Sequence, residues 1–322
     1  YRAHTDRPAS ETSHPIVVIG AGLAGAVAAR LLADHGFDVV VLDKGRRVGG
    51  RCSRRALDDV VVTHGARHVH DWPEWMKAWC DGENTVMVQD GSTTSLRLMD
   101  GPETIAGWLN GIDVVTGTTV VRIEQSDDQW HVHDEEGNRW EATGVVVTAP
   151  LPQLHRMMPG APESWSNHAY RPTWSLVLAH GTPPPAAFRP TLENLGFEVE
   201  ESDGTTGAVV HFPHDWSQSH LEDERTDVVQ AFMDMTSGVD NEVLDWLKSA
   251  TCQSHRWRYG RADALGVESA FPRLVEAGDA WETPVGTGGA ALRSGAWAAA
   301  HMAWQCSQHL RPASAPVQQT LF

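Results

Sequence analysis

The chain has 322 residues, 41% hydrophobic and 21% charged, enough for a large core spread over two domains. Its 25 Lys and Arg stand against 42 Asp and Glu, a net charge of −17, which argues against nucleic acid or an anionic membrane surface as the main partner. Cys52, Cys80, Cys252 and Cys306 lie too far apart for a disulfide framework or a zinc ribbon, and no apolar run reaches the ~18 residues of a membrane span, so the reading is a cytoplasmic protein with reduced thiols.

Residues 1–14 are polar, lack the apolar core of a signal peptide, and read as a flexible leader. "PIVVIG" then predicts a buried parallel strand, "LAGAVAARLLADHG" a helix stopping at Gly36, and "FDVVVLD" a second strand ending at Asp43. That is one βαβ unit. "VVTGTTVVRIEQ", "QWHVHDEEGNRWEA" and "GVVVTAP" predict strands with a hairpin turn at Glu135–Asn138, the last rejoining the buried sheet. Beyond them come strands at "WSLVLAH" and "AVVHFP", a loop at "GTPPPAAFRP", helices at "DERTDVVQAFMDM" and "NEVLDWLKSA", and a long Ala-rich helix near the end.

Gly20, Gly22 and Gly25 form a G-x-G-x-x-G between the first strand and the helix, with Leu23 and Ala24 inside it. Asp43 follows at the end of the next strand, which completes the context of a dinucleotide fingerprint. Gly20 makes the tight turn, Gly22 admits a pyrophosphate to the helix N-terminus, Gly25 lets helix and strand touch, and Asp43 accepts from a ribose diol. An acid at this point disfavours NADP. "LDKGRRVGGRCSRR" then gathers Lys44, Arg46, Arg47, Arg51, Arg54 and Arg55 around Gly49-Gly50. Such a cluster fits one small buried anion, with Arg54 and Arg55 read as a solvated face. The second glycine pair favours FAD over NAD.

"VVIGAGLAGAVAARLLADHGFDVVVLDKGRRVGGRCSRR" resembles the flavin amine-oxidase superfamily, and within it the bacterial renalase-like oxidoreductases. "HGARHVH", "VVVTAPLPQ", "SHRWRYGRA" and "AGDAW…GGAALRSGAWAA" are similar to later segments of that family. The resemblance implies a discontinuous Rossmann-type, glutathione-reductase-like FAD domain of α/β class (15–72, 101–155 and 263–322). A second α+β substrate domain of mixed sheet and helices would take 73–100 and 156–262. It implies that Gly65, Ala66 and Arg67 border the flavin ring, that Val120 or Val121 meets the adenine, and that Asp279 after Gly278 holds the ribityl chain. Ala291 and Leu292 would aim backbone N–H groups at the flavin. The chain departs from the family pattern at Ala290, in place of Gly, and at Arg67-His68, in place of Gln-Tyr. No Cys or His lies in Gly286–Ser294, so the FAD is expected to be non-covalent.

Flavin chemistry asks the protein for placement and electrostatics. The substrate-pocket candidates are Arg67, His68, Trp174, His255, Trp257 and Tyr259. The last three alternate, which predicts one face of a strand, and Arg67 is a candidate partner for a substrate phosphate or carboxylate. His64, His68 and His70, and His211, His214 and His220, cluster without metal-ligand spacing, so no metal is expected. The resemblance implies hydride transfer from a small substrate to flavin N5, with O2 as acceptor giving H2O2. The expected substrates are misreduced dihydronicotinamides, in isomeric NAD(P)H. An amine oxidase, another C–N or C–C oxidase, a desaturase and a non-catalytic flavin-binding sensor or scaffold are the alternatives. The amine reading is weakened because Lys44, Lys77 and Lys248 are the only lysines, and none matches the family's flavin-side position.

Overall fold

The computed structural model describes residues 14–309 apart from 81, 91–92, 203 and 237. All of the expected leader except His14 lies outside the described residues. The chain opens with β1 (Ile16–Ile19), α1 (Leu23–Asp34) and β2 (Val39–Asp43), the predicted βαβ unit. A hairpin of β3 (Arg54–Leu57) and β4 (Val60–Thr63) follows. β5 (His68–Val69), β6 (Thr85–Asp90) and β7 (Thr93–Leu98) make a small antiparallel sheet in the order β5-β7-β6. Next come α2 (Gly101–Trp108), β8 (Asp113–Thr116), and a meander of β9 (Val120–Ser126), β10 (Gln129–Asp134) and β11 (Arg139–Ala142). The chain returns through β12 (Gly144–Val147) to α3 (Leu151–Met157).

β13 (Tyr170–His180), α4 (Arg189–Asn194), β14 (Glu198–Ser202), β15 (Thr205–His211), α5 (His214–Ser219), α6 (Arg225–Met235), α7 (Asn241–Ser249) and β16 (Thr251–Ala262) build the second layer system. β17 (Leu274–Glu276) and α8 (Gly288–His309) close the described chain. "GTPPPAAFRP" is not all loop: Pro190, in the first turn of α4, suits a helix start, where a missing N–H costs nothing.

Five parallel strands run in the order β17-β12-β1-β2-β8. β1 and β12 are buried along their whole length because both faces of this sheet are covered. Ile16, Val18, Val41 and Val146 meet α1 and α8, whereas Val17, Ile19, Val145 and Val147 meet Trp130 and Val132 of the meander and Leu151 of α3. Met76, Leu96 and Leu98, from the 73–100 segment, pack into the cluster under α1 and α8.

The second sheet is antiparallel, in the order β14-β15-β13-β16. Its two faces follow from strand alternation. Trp174, Leu176 and Leu178 of β13 pack with Val228 and Phe232 of α6 and Val243 and Leu247 of α7. Val177 and Ala179, one residue out of step, pack with Val209 against Leu57, Val60 and Val62 of the β3–β4 hairpin. This contact seats the second sheet on the segment that follows the dinucleotide turn.

Candidate flavin site and its flanking pocket

Gly20 has φ +105, and a Cβ there would strike Thr148 Oγ1; a Cβ on Gly25 would strike the Gly20 carbonyl. α1 starts after Gly22 with no side-chain cap, so no side chain occupies the amides of its first turn. Gly50, at φ +53, faces Gly22: its Cβ would lie 3.1 Å from Gly22 Cα, and one on Gly22 would lie 3.8 Å from Gly50 Cα. Gly49 N donates to Ala21 O at 2.8 Å and fixes the two turns against each other. The outcome is a cradle walled by backbone at the positive end of a helix, which fits a pyrophosphate. Leu23 and Ala24 are buried behind it.

Asp43 accepts from Ala21 N and Gly45 N, both at 2.6 Å, which leaves lone pairs for a diol. The loop before β9 is tied to the same place, through Thr118 N donating to Asp43 O at 2.9 Å; Val120 is buried and Val121 exposed. Lys44 reaches Gln153 Oε1 at 3.4 Å, and Arg46 and Arg47 are exposed.

Arg51, expected at the pyrophosphate, is instead bidentate on Asp279 at 2.8 and 2.7 Å and also donates to Gly260 O. Asp279 accepts a third bond from Ala262 N, and Arg51 holds its carboxyl below the usual range against the opposing effect of burial. Gly278 has φ +139 and donates to Ser294 Oγ at 2.9 Å, which anchors this turn on α8. Ala291 N, expected to face the flavin, donates within the helix to Thr287 O at 3.2 Å. The amides α8 does not itself use are those of its first turn, at Gly288 and Gly289. Leu292 is fully buried in the core. Gly65 and Ala66 lie on the Arg51–Ser53 backbone, with Ala66 N donating to Arg51 O at 2.7 Å.

The pocket candidates separate. Arg67 is buried and committed: it pairs with Glu200 at 2.8 Å and Glu198 at 3.5 Å and donates to Thr63 O. His68 is exposed on the small sheet, 3.1 Å from Ser95 Oγ. Trp174 lies on the helix-covered face, where its Nε1 donates to His220 O and it lines a cavity of about 330 Å³ with Arg225 and Arg256. Tyr259 meets Tyr170 at 5.3 Å, in the stretch of β16 where the pairing with β13 shifts register. Tyr170 is itself pushed up to about 12 by burial.

His255 and Trp257 do come together, with His64, which the sequence offers only as one of a histidine cluster. His64 is 3% exposed, stacked on Trp257 at 5.3 Å and edge-on to His255 at 4.8 Å. Its Nδ1 is buried without a hydrogen-bond partner. Burial and the neighbouring His255 and Arg55 push its pKa down to about 3, and burial and Arg55 push His255 to about 4. Trp257 Nε1 donates to Ser175 Oγ at 3.0 Å, and the Ser175 hydroxyl is hydrogen-bonded to His211 Nδ1 at 2.7 Å. The available signal was position: His64 directly precedes the Gly-Ala pair.

A covered parallel sheet with two facing glycine turns, joined to an antiparallel sheet seated beside them, defines a two-domain dinucleotide-dependent oxidoreductase architecture. Residues 18–81 match the NAD(P)-binding Rossmann-like domain, and residues 76–303 match the flavin containing amine oxidoreductase family. The chain belongs to that family of FAD-dependent oxidoreductases, and its cofactor is FAD. A redesigned putrescine oxidase shares the fold at TM-score 0.63 and 12% identity, over 91% of this chain and 99% of that one. Sequence relatives match over short stretches. A zeta-carotene-forming phytoene desaturase of Myxococcus xanthus is 50% identical over 50 residues, 16% of this chain and 10% of that protein. The L-amino-acid oxidase of Mus musculus is 50% identical over 44 residues, 13% and 7% of the two chains. A pseudooxynicotine dehydrogenase of a Pseudomonas species is 36% identical over 89 residues, 26% and 18% of the two. The chain thus spans a fifth or less of the length of these curated relatives. No helix among the described residues is long and apolar enough to cross a membrane.

Proposed function

We propose that the protein is a renalase-like oxidase of dihydronicotinamide isomers, acting in the cytoplasm with O2 as acceptor. Bound FAD supplies the ring that accepts a hydride and, on reoxidation by O2, yields H2O2. The cradle of Gly20, Gly22, Gly25, Gly49 and Gly50, with Asp43 beside it, would hold the dinucleotide part, and Gly65, Ala66 and the Arg51–Asp279 pair would border the ring. FAD-domain segments 15–72, 101–155 and 263–322, with 73–100 and 156–262 on the substrate side, remain our proposed division.

One observation carries the substrate reading. The residues flanking the Arg51 turn are neutral imidazoles on an indole, with pKa values near 3 for His64 and 4 for His255. Neither is poised as a general base near neutrality. A dihydronicotinamide needs no base, because aromatisation drives loss of its hydride. Trp257, half-buried and stacked on His64, offers a flat ring an aromatic surface to lie against. Family membership supports amine oxidation or desaturation as the second reading.

The test is an anaerobic mix of the flavin-loaded protein with 2- and 6-dihydro-NAD(P), ordinary 4-NAD(P)H and a simple amine. Bleaching of the flavin by the 2- and 6-isomers, with NAD(P)+ as product, is expected. Bleaching by the amine alone would replace this reading with the second. A yellow protein bleached by none of them would turn the search to a sensor role.

A further inference from the structure

Three histidines, His64, His211 and His255, reach the face of the second sheet that is turned to the β3–β4 hairpin, and one of them has its proton placed by its partner. His255 stands opposite Ser175, on the face that Val177 and Ala179 turn to the hairpin. Arg55 of β3 is half-buried. Its Nη2 lies 3.0 Å from His255 Nδ1 and its Nη1 lies 3.4 Å from Gln253 Oε1. A guanidinium has only N–H donors, so Nδ1 must accept with its lone pair, and the one ring proton sits on Nε2. Protonating the ring would turn a second N–H on Arg55. Burial and Arg55 accordingly hold the His255 pKa down, to about 4.

The Nε2–H has no hydrogen-bond partner among the described residues. Unlike Nδ1 of His64 it is not sealed in, because His255 is only half-buried. The two nitrogens lie on opposite flanks of an imidazole, so this N–H is turned away from Arg55. Trp257 touches the ring at 4.2 Å and His64 meets it edge-on at 4.8 Å. His64 runs on into Gly65 and Ala66, which lie on the Arg51–Ser53 backbone beside the glycine turns. Donor and aromatic surface are thus neighbours, and a polar group attached directly to a flat ring reaches the donor with no tail between. The donor is neutral, single and backed by a fixed positive charge. A carbonyl oxygen needs one such donor. An ammonium meets the positive end of the N–H bond and the charge of Arg55, and a carboxylate finds no second donor for its other oxygen.

We propose that His255 determines specificity by donating its Nε2–H to the carboxamide oxygen of a ring lying against Trp257, with Arg55 as the positioning residue that fixes the tautomer. The assignment rests on the dihydronicotinamide reading above for its ring, whose carboxamide supplies the oxygen. A simple amine has no such acceptor, so the same donor separates the two readings of the function.

The experiment uses flavin-loaded protein with nitrogen-15 histidines. Long-range nitrogen–proton correlations read the tautomer of each ring, with the His255 signals assigned by their loss in His255→Phe. Wild type is expected to show His255 as the Nε2–H form at neutral pH, and Arg55→Leu to show a mixture of both tautomers. The same samples are titrated with benzamide, benzoate and benzylamine. Benzamide should bind wild type tightest of the three and shift the His255 Nε2 signal. His255→Phe should weaken it by about 5-fold to 10-fold, the worth of one neutral hydrogen bond, and Arg55→Leu by about 2-fold to 5-fold. An Nδ1–H ring in wild type overturns the proposal. So do tighter benzoate or benzylamine, no benzamide binding, or equal benzamide binding by wild type and His255→Phe. An unmixed Nε2–H ring in Arg55→Leu overturns the role of Arg55. Should His255→Phe fail to accumulate, the benzamide-induced shift of Nε2 in wild type decides. No turnover is read here. Failure of the dihydronicotinamides to bleach the flavin would leave a benzamide result standing, and a failed benzamide titration would leave their bleaching standing.

Discussion

Gly22 and Gly50 show how much one atom decides at this site. Their Cα atoms are close enough that a side chain on either fills the space between the two turns. Gly22→Asp would put a carboxylate where a pyrophosphate needs bare amides, adding a clash and a like charge at the helix end. The expected outcome is a folded protein purified without yellow colour, read as the ratio of flavin to protein absorbance; a yellow variant would sink the placement. Asp279 is the second such point. It is 5% exposed and accepts from Arg51 twice and from Ala262 N. Asp279→Asn leaves the guanidinium without its counter-charge. A loss of about 2–4 kcal/mol is expected in urea unfolding, reduced from the fully buried case because Arg51 is partly exposed. Single residues were unevenly legible in the sequence. The glycines declare themselves because a tight turn and a close approach are local demands. The capture of Arg67 by Glu198 and Glu200, about 130 residues away in sequence, is not local, and a basic residue near a flavin motif reads the same whether or not it is already paired.

Elements explain the rest of that unevenness. The βαβ unit, the Glu135–Asn138 turn and β12 were readable because period and turn chemistry sit inside each segment. Trp174 and His255 are both pocket candidates in the sequence. Register decides otherwise: Ser175, not Trp174, sits opposite His255, which sends Trp174 to the helix face. The pairing shift between Arg171 and Thr173 falls on the stretch that holds Tyr259, whose ring meets Tyr170. Neither can be read from one strand alone. Helix packing makes its own prediction. α1 and α8 touch so closely that a Cβ on Gly295 would run into the Ala24 carbonyl, while one on Gly137 of the β10–β11 turn meets nothing within 4 Å. Gly295→Ala should cost about 1–3 kcal/mol by overpacking, against about 1 kcal/mol at Gly137→Ala, where only its φ of +87 resists. Urea midpoints of the two variants check the order, and equal losses would show that the helices give way freely.

At the scale of the whole molecule, the antiparallel sheet meets the β3–β4 hairpin at a surface that is partly polar, and this gives stability a pH dependence. The β3–β4 hairpin carries His64 to that junction, where it stays neutral among His255, Arg55 and His211. In the unfolded chain its pKa returns to about 6.5. A depressed folded value means the unfolded state binds the extra proton between about pH 3 and 6.5, so stability is whole above 6.5 and is lost as pH falls through that window. Lowering the pH to about 5 should remove roughly 2 kcal/mol through His64 alone, at 1.36 kcal/mol per unit. His64→Leu keeps a ring-sized apolar group on Trp257 but cannot take up the proton. Its absolute stability can move either way, so the readable quantity is the difference between urea unfolding at pH 7 and near pH 5. That difference should shrink by about 2 kcal/mol in the variant, while His255, unchanged, keeps its own acid loss over an overlapping range, from about pH 6.5 down to about 4. An unaltered difference would mean that His64 is not held neutral at the junction, and the flat uncharged wall proposed for the substrate ring would lose its main support.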